Sequence, residues 1–100
     1  MSNLAIARKR SEVGFPLGKV LITPGAQSAL QSCLISPLDL LARHQSLDFG
    51  DLCPEDQLAN EQALVHGDRL LSVYPYYEHV IWVITEADRS STTLLLPEEY

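Results

Sequence analysis

PEDQLANEQALVHGDRLLSVYPYYEHVIWVIT, residues 54–85, contains the change of period on which the fold turns. Pro54 followed by Glu55 and Asp56 reads as a helix start. Proline at the first helical position gives up no hydrogen bond, and acids in the first turn complement the helix dipole. Leu58, Ala59, Gln62, Ala63, Val65 and His66 populate helical faces, and Gly67 suits the left-handed residue that stops a helix. From Asp68 the spacing is no longer helical. Leu70, Leu71, Val73, Tyr74 and Tyr76 make a β-rich run, in which Pro75 marks a strand end or an edge because it cannot donate to a ladder. Tyr77–Glu78 reads as a turn. His79–Thr85 is the strongest strand pattern in the chain, apolar on both faces and therefore suited to the centre of a sheet.

The same reading extends in both directions. Ala87–Asp88–Arg89–Ser90 is a polar connector, and Thr92–Leu96 is a last strand closed by Pro97. Residues 69–75, 79–86 and 91–96 then form an antiparallel meander. Upstream, Thr23–Pro24 and Ser36–Pro37 each place a hydroxyl at an N-cap and a proline at the first helical position. They predict helices over about 24–33 and 37–45. Ala26, Ala29, Leu30 and Cys33 share one face of the first, and Leu38, Leu41 and Ala42 one face of the second. Lys19–Ile22 reads as a strand or an extended lead-in. Three strands alone bury too little surface, so the helices must cover one face of the sheet. The expected class is α+β: two or three short helices on a three- to four-stranded, mainly antiparallel sheet. The expected core centres on Trp82 and Ile84, beneath Leu30, Leu41 and Leu58.

The length of 100 residues fits one such domain, expected over 15–100 behind a flexible basic tail at 1–14. With 46% hydrophobic and 20% charged residues, the composition is that of a globular chain. No apolar run reaches the roughly 18 residues of a membrane span, and no apolar leader segment is visible. A cytoplasmic protein with free thiols at Cys33 and Cys53 is the expectation. Charge is uneven. Residues 1–20 carry Arg8, Lys9, Arg10 and Lys19 against Glu12, a net of +3, whereas residues 21–100 carry three arginines against twelve acids, a net of −9. An acidic body repels phosphate, so nucleic-acid binding is disfavoured except through the short arm Arg8–Lys9–Arg10.

The motifs of common chemistries are absent. There is no G-x-S-x-G, no paired C-x-x-C, no H-x-x-x-H, no Gly-rich phosphate loop with a lysine, and no D-x-[DN]-x-[DN]-G calcium loop. Cys53 with His44 or His66 is a conceivable nucleophile–base pair, but nothing in the spacing joins them. His44, His66 and His79 fall on separate elements. No catalytic residue, metal ligand or cofactor is therefore assigned. The one polar segment that stands out is Thr85–Thr93, between two apolar strands. Its Glu86, Asp88 and Arg89 join Arg8, Lys9 and Arg10 as candidate interaction residues. For Arg89 the favoured role is structural, its planar guanidinium held by carboxylate or carbonyl acceptors.

Phe15–Pro16–Leu17–Gly18, Thr23–Pro24–Gly25–Ala26, Gly50–Asp51–Leu52, Asn60–Glu61–Gln62–Ala63–Leu64, Gly67, Ile84–Thr85–Glu86–Ala87–Asp88–Arg89–Ser90 and Thr93–Leu94–Leu95–Leu96–Pro97–Glu98–Glu99–Tyr100 resemble a family of small bacterial proteins carried on plasmids and integrative elements. The resemblance spans roughly residues 15–100. Members are called plasmid-related or hypothetical proteins, and some carry the label of the methyltransferase subunit of a type I restriction system. That label does not fit this sequence, which has neither an N-P-P-[FY] motif nor a Gly-rich cofactor loop. The resemblance implies a mobile-element setting and brings no catalytic residues with it. The expected function is that of a non-enzymatic accessory protein that binds another protein, such as a host defence or DNA-handling protein. The alternatives are a DNA-linked regulator using the basic arm and a small enzyme.

Overall fold

The computed structural model describes residues 14–100. The tail expected over 1–14, with Arg8, Lys9 and Arg10, lies outside the described residues save for Gly14. The described chain runs β1 (Lys19–Ile22), α1 (Pro24–Ser32), α2 (Pro37–Gln45), α3 (Pro54–His66), β2 (Leu70–Tyr76), β3 (His79–Thr85), β4 (Ser91–Leu95) and a single 3-10 turn at Pro97–Glu99. The strands form one sheet in the order β1-β4-β3-β2. β2, β3 and β4 are the antiparallel meander, and β1 joins parallel to β4 with Lys19 opposite Ser91 and Ile22 opposite Leu94. The class is α+β, and the elements agree with those expected to within a residue or two at their ends.

Local chemistry sets the helix ends. All three helices begin with proline, and the hydroxyls of Thr23 and Ser36 accept the N–H groups of Ala26 and Leu38. The carbonyl ends of α1 and α2 close without glycine. Leu34 (φ 57°) and Leu47 (φ 72°) adopt the left-handed conformation. The N–H groups of Leu34 and Ile35 turn back to Gln31 and Leu30, and those of Leu47 and Asp48 to His44 and Arg43. Gly67 closes α3 as its sequence position suggests, at φ 80°.

The three helices pack on one face of the sheet. Ala26, Ala29, Leu30, Leu40 and Leu41 meet Tyr74, Ile81, Val83 and Leu94, while Phe15 and Ala63 meet Leu70. Ile84 is buried as expected, whereas Trp82 is only half-buried, and neither joins the helix-covered clusters, which corrects the expected packing of the helices over them. Successive strand residues point to opposite faces, and the helix-covered face is the one carrying Ile81 and Val83. Because β3 is apolar on both faces, its own pattern does not reveal which face the helices take. Leu30 and Leu41 are buried, but on the side away from Trp82, and Leu58 is exposed. In place of Leu58, α3 turns Asn60 and Ala63 inward.

Asn60 completes the outer edge of β2. Its side-chain oxygen accepts the Leu71 N–H (3.1 Å) and its amide donates to the Leu71 carbonyl (2.6 Å). Val73 pairs on the same edge with the backbone of Phe49 and Asp51. Gly50, at φ 77°, permits that approach, since a Cβ there would lie 2.0 Å from the Val73 carbonyl oxygen. Pro75 has no N–H to leave unpaired. The outward groups of Leu71 and Val73 are thereby paired, which shortens the free edge available for strand addition. Asn60→Leu should destabilise the protein by about 1–3 kcal/mol, the cost of leaving buried backbone groups unmet. Chemical denaturation of the two proteins measures it, and equal midpoints would contradict this role.

Candidate interaction site on the second sheet face

The opposite face of the sheet carries Leu21 from β1, Thr93 and Leu95 from β4, Val80, Trp82 and Ile84 from β3, and Leu71 and Val73 from β2. Their register is fixed: Leu71 faces Ile84, Val73 faces Trp82, Trp82 faces Leu95, Ile84 faces Thr93 and Leu21 faces Thr93. Ile84 and Leu95 are buried. Leu71, Val73, Val80 and Trp82 are half-buried, and Leu21 is exposed. Among the described residues the segment that lies over this face is Pro97–Tyr100. The Tyr100 ring meets Trp82 edge-on, with centroids 5.7 Å apart and planes at 66°. Arg69 donates to the Tyr100 hydroxyl and sets its guanidinium 5.5 Å from the ring centre. With strands about 4.8 Å apart and residues about 3.3 Å apart, the face covers on the order of 300 Å².

The residues singled out in the polar connector behave differently from one another. Arg89, at φ 61°, turns inward. Its Nη1 donates to the carbonyls of Asp68 (2.7 Å), Glu86 (3.0 Å) and Ala87 (3.2 Å), and its Nη2 donates to the carbonyl of Ala63 (3.1 Å) near the end of α3. The guanidinium thus ties the β3–β4 connector to the carbonyl end of a helix, where cations are favoured. The Asp88 carboxylate accepts the Ser90 N–H at 3.0 Å, and Glu86 is exposed. The structure therefore does not bring Glu86, Asp88 and Arg89 together as one outward-facing cluster.

Beneath the helices lies a buried polar chain that the sequence reading did not identify. His44 is fully buried, with Nδ1 2.5 Å from the Ser72 hydroxyl and Nε2 2.9 Å from the Thr85 hydroxyl. Thr85 meets Thr92 at 2.7 Å, and Thr92 donates to the Leu17 carbonyl at 2.7 Å. These contacts fix the proton positions. The Leu17 carbonyl only accepts, so the Thr92 hydrogen goes to it and the Thr85 hydrogen goes to Thr92. His44 must then donate from Nε2 and, as a neutral imidazole, accept the Ser72 hydrogen at Nδ1. Burial among Phe15 and Phe49, aided by the positive charge of Arg89, pushes the imidazole pKa down from 6.5 to about 4. Both ring nitrogens are occupied and Cys53 is exposed at the start of α3, so these two do not form a nucleophile–base pair. One signal was available: His44 lies four residues after Leu40 and three after Leu41, on the inward stripe of α2.

Among the described residues no three of His, Cys, Asp and Glu converge as metal ligands, and no helix is long and apolar enough to cross a membrane.

Two outcomes follow from this geometry. Because the folded pKa of His44 lies below its unfolded value, the unfolded chain alone takes up a proton between pH 6.5 and about 4. Stability should be insensitive to this group above pH 6.5 and should fall on acidification through that window, by about 3 kcal/mol at pH 4. Denaturant titrations across the range measure the slope, and His44→Gln should flatten it. Arg89→Lys keeps the charge but loses the fork that reaches two elements at once. It should cost about 1–2 kcal/mol, read as a shift in the denaturation midpoint.

Compared with protein-family models, curated proteins and solved structures, the chain matches none of them.

Proposed function

We propose that this chain is a non-enzymatic protein-binding module, an accessory protein of a bacterial mobile element acting in the cytoplasm, and that it binds its partner through the second sheet face. The single observation that carries the reading is that face: an ordered apolar grid around Trp82 over which, among the described residues, no helix packs. Tryptophan and tyrosine at the centre of such a surface are the residue types that dominate interface energies. The chemistry of the interior favours binding over catalysis, because its histidine is sealed in a satisfied hydrogen-bond chain. The acidic body favours a protein partner over nucleic acid.

The test is capture from nuclease-treated bacterial lysate on immobilised protein, comparing the natural chain with Val73→Glu on the open face and Leu38→Glu on the exposed side of α2. Circular dichroism establishes that both variants fold. Val73→Glu should weaken capture about thirtyfold, the size of a lost interface hot spot, and Leu38→Glu should leave it unchanged. Capture indifferent to Val73→Glu would overturn the reading. Capture abolished by nuclease alone would move the function to the Arg8–Lys9–Arg10 arm.

A further inference from the structure

The segment Pro97–Tyr100 is held at two adjacent residues by unrelated interactions. Glu99 reaches back to the start of α1. Its Oε1 accepts the Thr23 hydroxyl (2.5 Å) and the Leu96 N–H (2.8 Å), and its Oε2 accepts the Gly25 N–H (3.0 Å). Pro24 supplies no N–H, so Gly25 is the first backbone donor of the helix, and a carboxylate there is favoured by the helix dipole. A Cβ at residue 25 would lie 2.5 Å from the carboxylate oxygen and would push the Glu99 side chain out of its present position. Tyr100, the next residue, lays its ring on Trp82 and receives Arg69 at its hydroxyl. The segment between β4 and these contacts is one 3-10 turn, closed by Glu99 N–H to Leu96 O and Tyr100 N–H to Pro97 O. Tyr100 itself is 67% exposed. The ring is thus placed by its neighbours while little of it is buried.

We infer that Pro97–Tyr100 is a strap over the binding face, latched by Glu99 at the N-terminus of α1, and that it regulates access to Trp82. A partner that packs on the part of Trp82 covered by Tyr100 must displace the ring, and because Glu99 and Tyr100 are consecutive, releasing the carboxylate leaves the ring held by Trp82 and Arg69 alone. The regulatory meaning rests on the proposed role of the sheet face, whereas the strap itself is a property of the free protein.

Trp82 is the sole tryptophan of the sequence, so intrinsic fluorescence reports its surroundings without interference. Emission maximum and acrylamide quenching are compared for the natural chain, Tyr100→Ala, Glu99→Gln and Gly25→Ala, with circular dichroism as the check on folding. Tyr100→Ala defines the uncovered state, with red-shifted emission and faster quenching. Glu99→Gln weakens the latch chemically and Gly25→Ala blocks it sterically while retaining the carboxylate. Both should move toward the Tyr100→Ala values, with the closed-to-open ratio reduced roughly fivefold, the scale of one exposed charged contact. Unchanged emission in Tyr100→Ala would show that the ring does not shield Trp82. A shift in Tyr100→Ala alone, with both latch variants at the natural value, would show that Glu99 does not hold the strap. Either result overturns the strap, whatever the capture experiment gives. In the capture experiment Tyr100→Ala should bind more strongly, and weaker binding would make Tyr100 part of the contact surface instead of its cover. A fluorescence response as expected, without face-dependent capture, would leave the strap standing and remove the binding role.

Discussion

A buried imidazole must satisfy two ring nitrogens, and in this protein that requirement organises the interior. His44 reaches from α2 to Ser72 on β2 and Thr85 on β3, and the chain continues through Thr92 on β4 to the Leu17 carbonyl ahead of β1. Each hydroxyl has one hydrogen to give, so the chain has one consistent direction and ends on a group that only accepts. It fixes the phase of α2 over the sheet, because a rotation that removed His44 from this position would leave several buried polar atoms without partners. The apolar contacts of Leu40 and Leu41 on either side are compatible with that phase and gain from it. Burial of the ring, aided by the nearby Arg89 charge, keeps the imidazole neutral.

The edge and end of the sheet are finished by side chains that imitate backbone. Asn60 pairs with Leu71 as a neighbouring strand would, and Arg89 gathers carbonyls from α3, the α3–β2 connection and the β3–β4 connector. Phe15 lies between these features, edge-on to His44 and 5.8 Å from the Arg89 guanidinium. The second sheet face brings half-buried Leu71, Val73, Val80 and Trp82 together in one register. Its centre is covered by a tyrosine attached through a short, largely exposed turn. In the proposed exchange of this cover for a partner, little contact area is given up when the turn opens.

The secondary structure was legible in the sequence because its signals are local. Three prolines after Thr23, Ser36 and Cys53 set three helix starts, Gly67 separates helical from strand spacing, and the runs 70–76, 79–85 and 91–95 are β-rich. The candidate site was legible only in part. The aromatic residues were visible, but the outward position of Trp82 was not, because β3 is apolar on both faces and parity is decided by what the helices cover. Leu34 and Leu47 in left-handed conformations also carry no residue-type signal, since leucine disfavours that conformation and it is held here by hydrogen bonds back to the helix ends.

The sequence by itself therefore determined the elements, their order and the α+β class, all of which depend on neighbours within a few residues. The tertiary structure decided which sheet face is covered, the parallel pairing of β1 with β4, the inward turn of Arg89, the His44 chain and the latch between Glu99 and α1. Each of these joins residues far apart in the chain, with Thr23 and Glu99 separated by 76 positions. Such contacts form only once packing has fixed the faces and ends of the elements. No spacing rule along a single chain can encode them, because the partner's position is set by the fold.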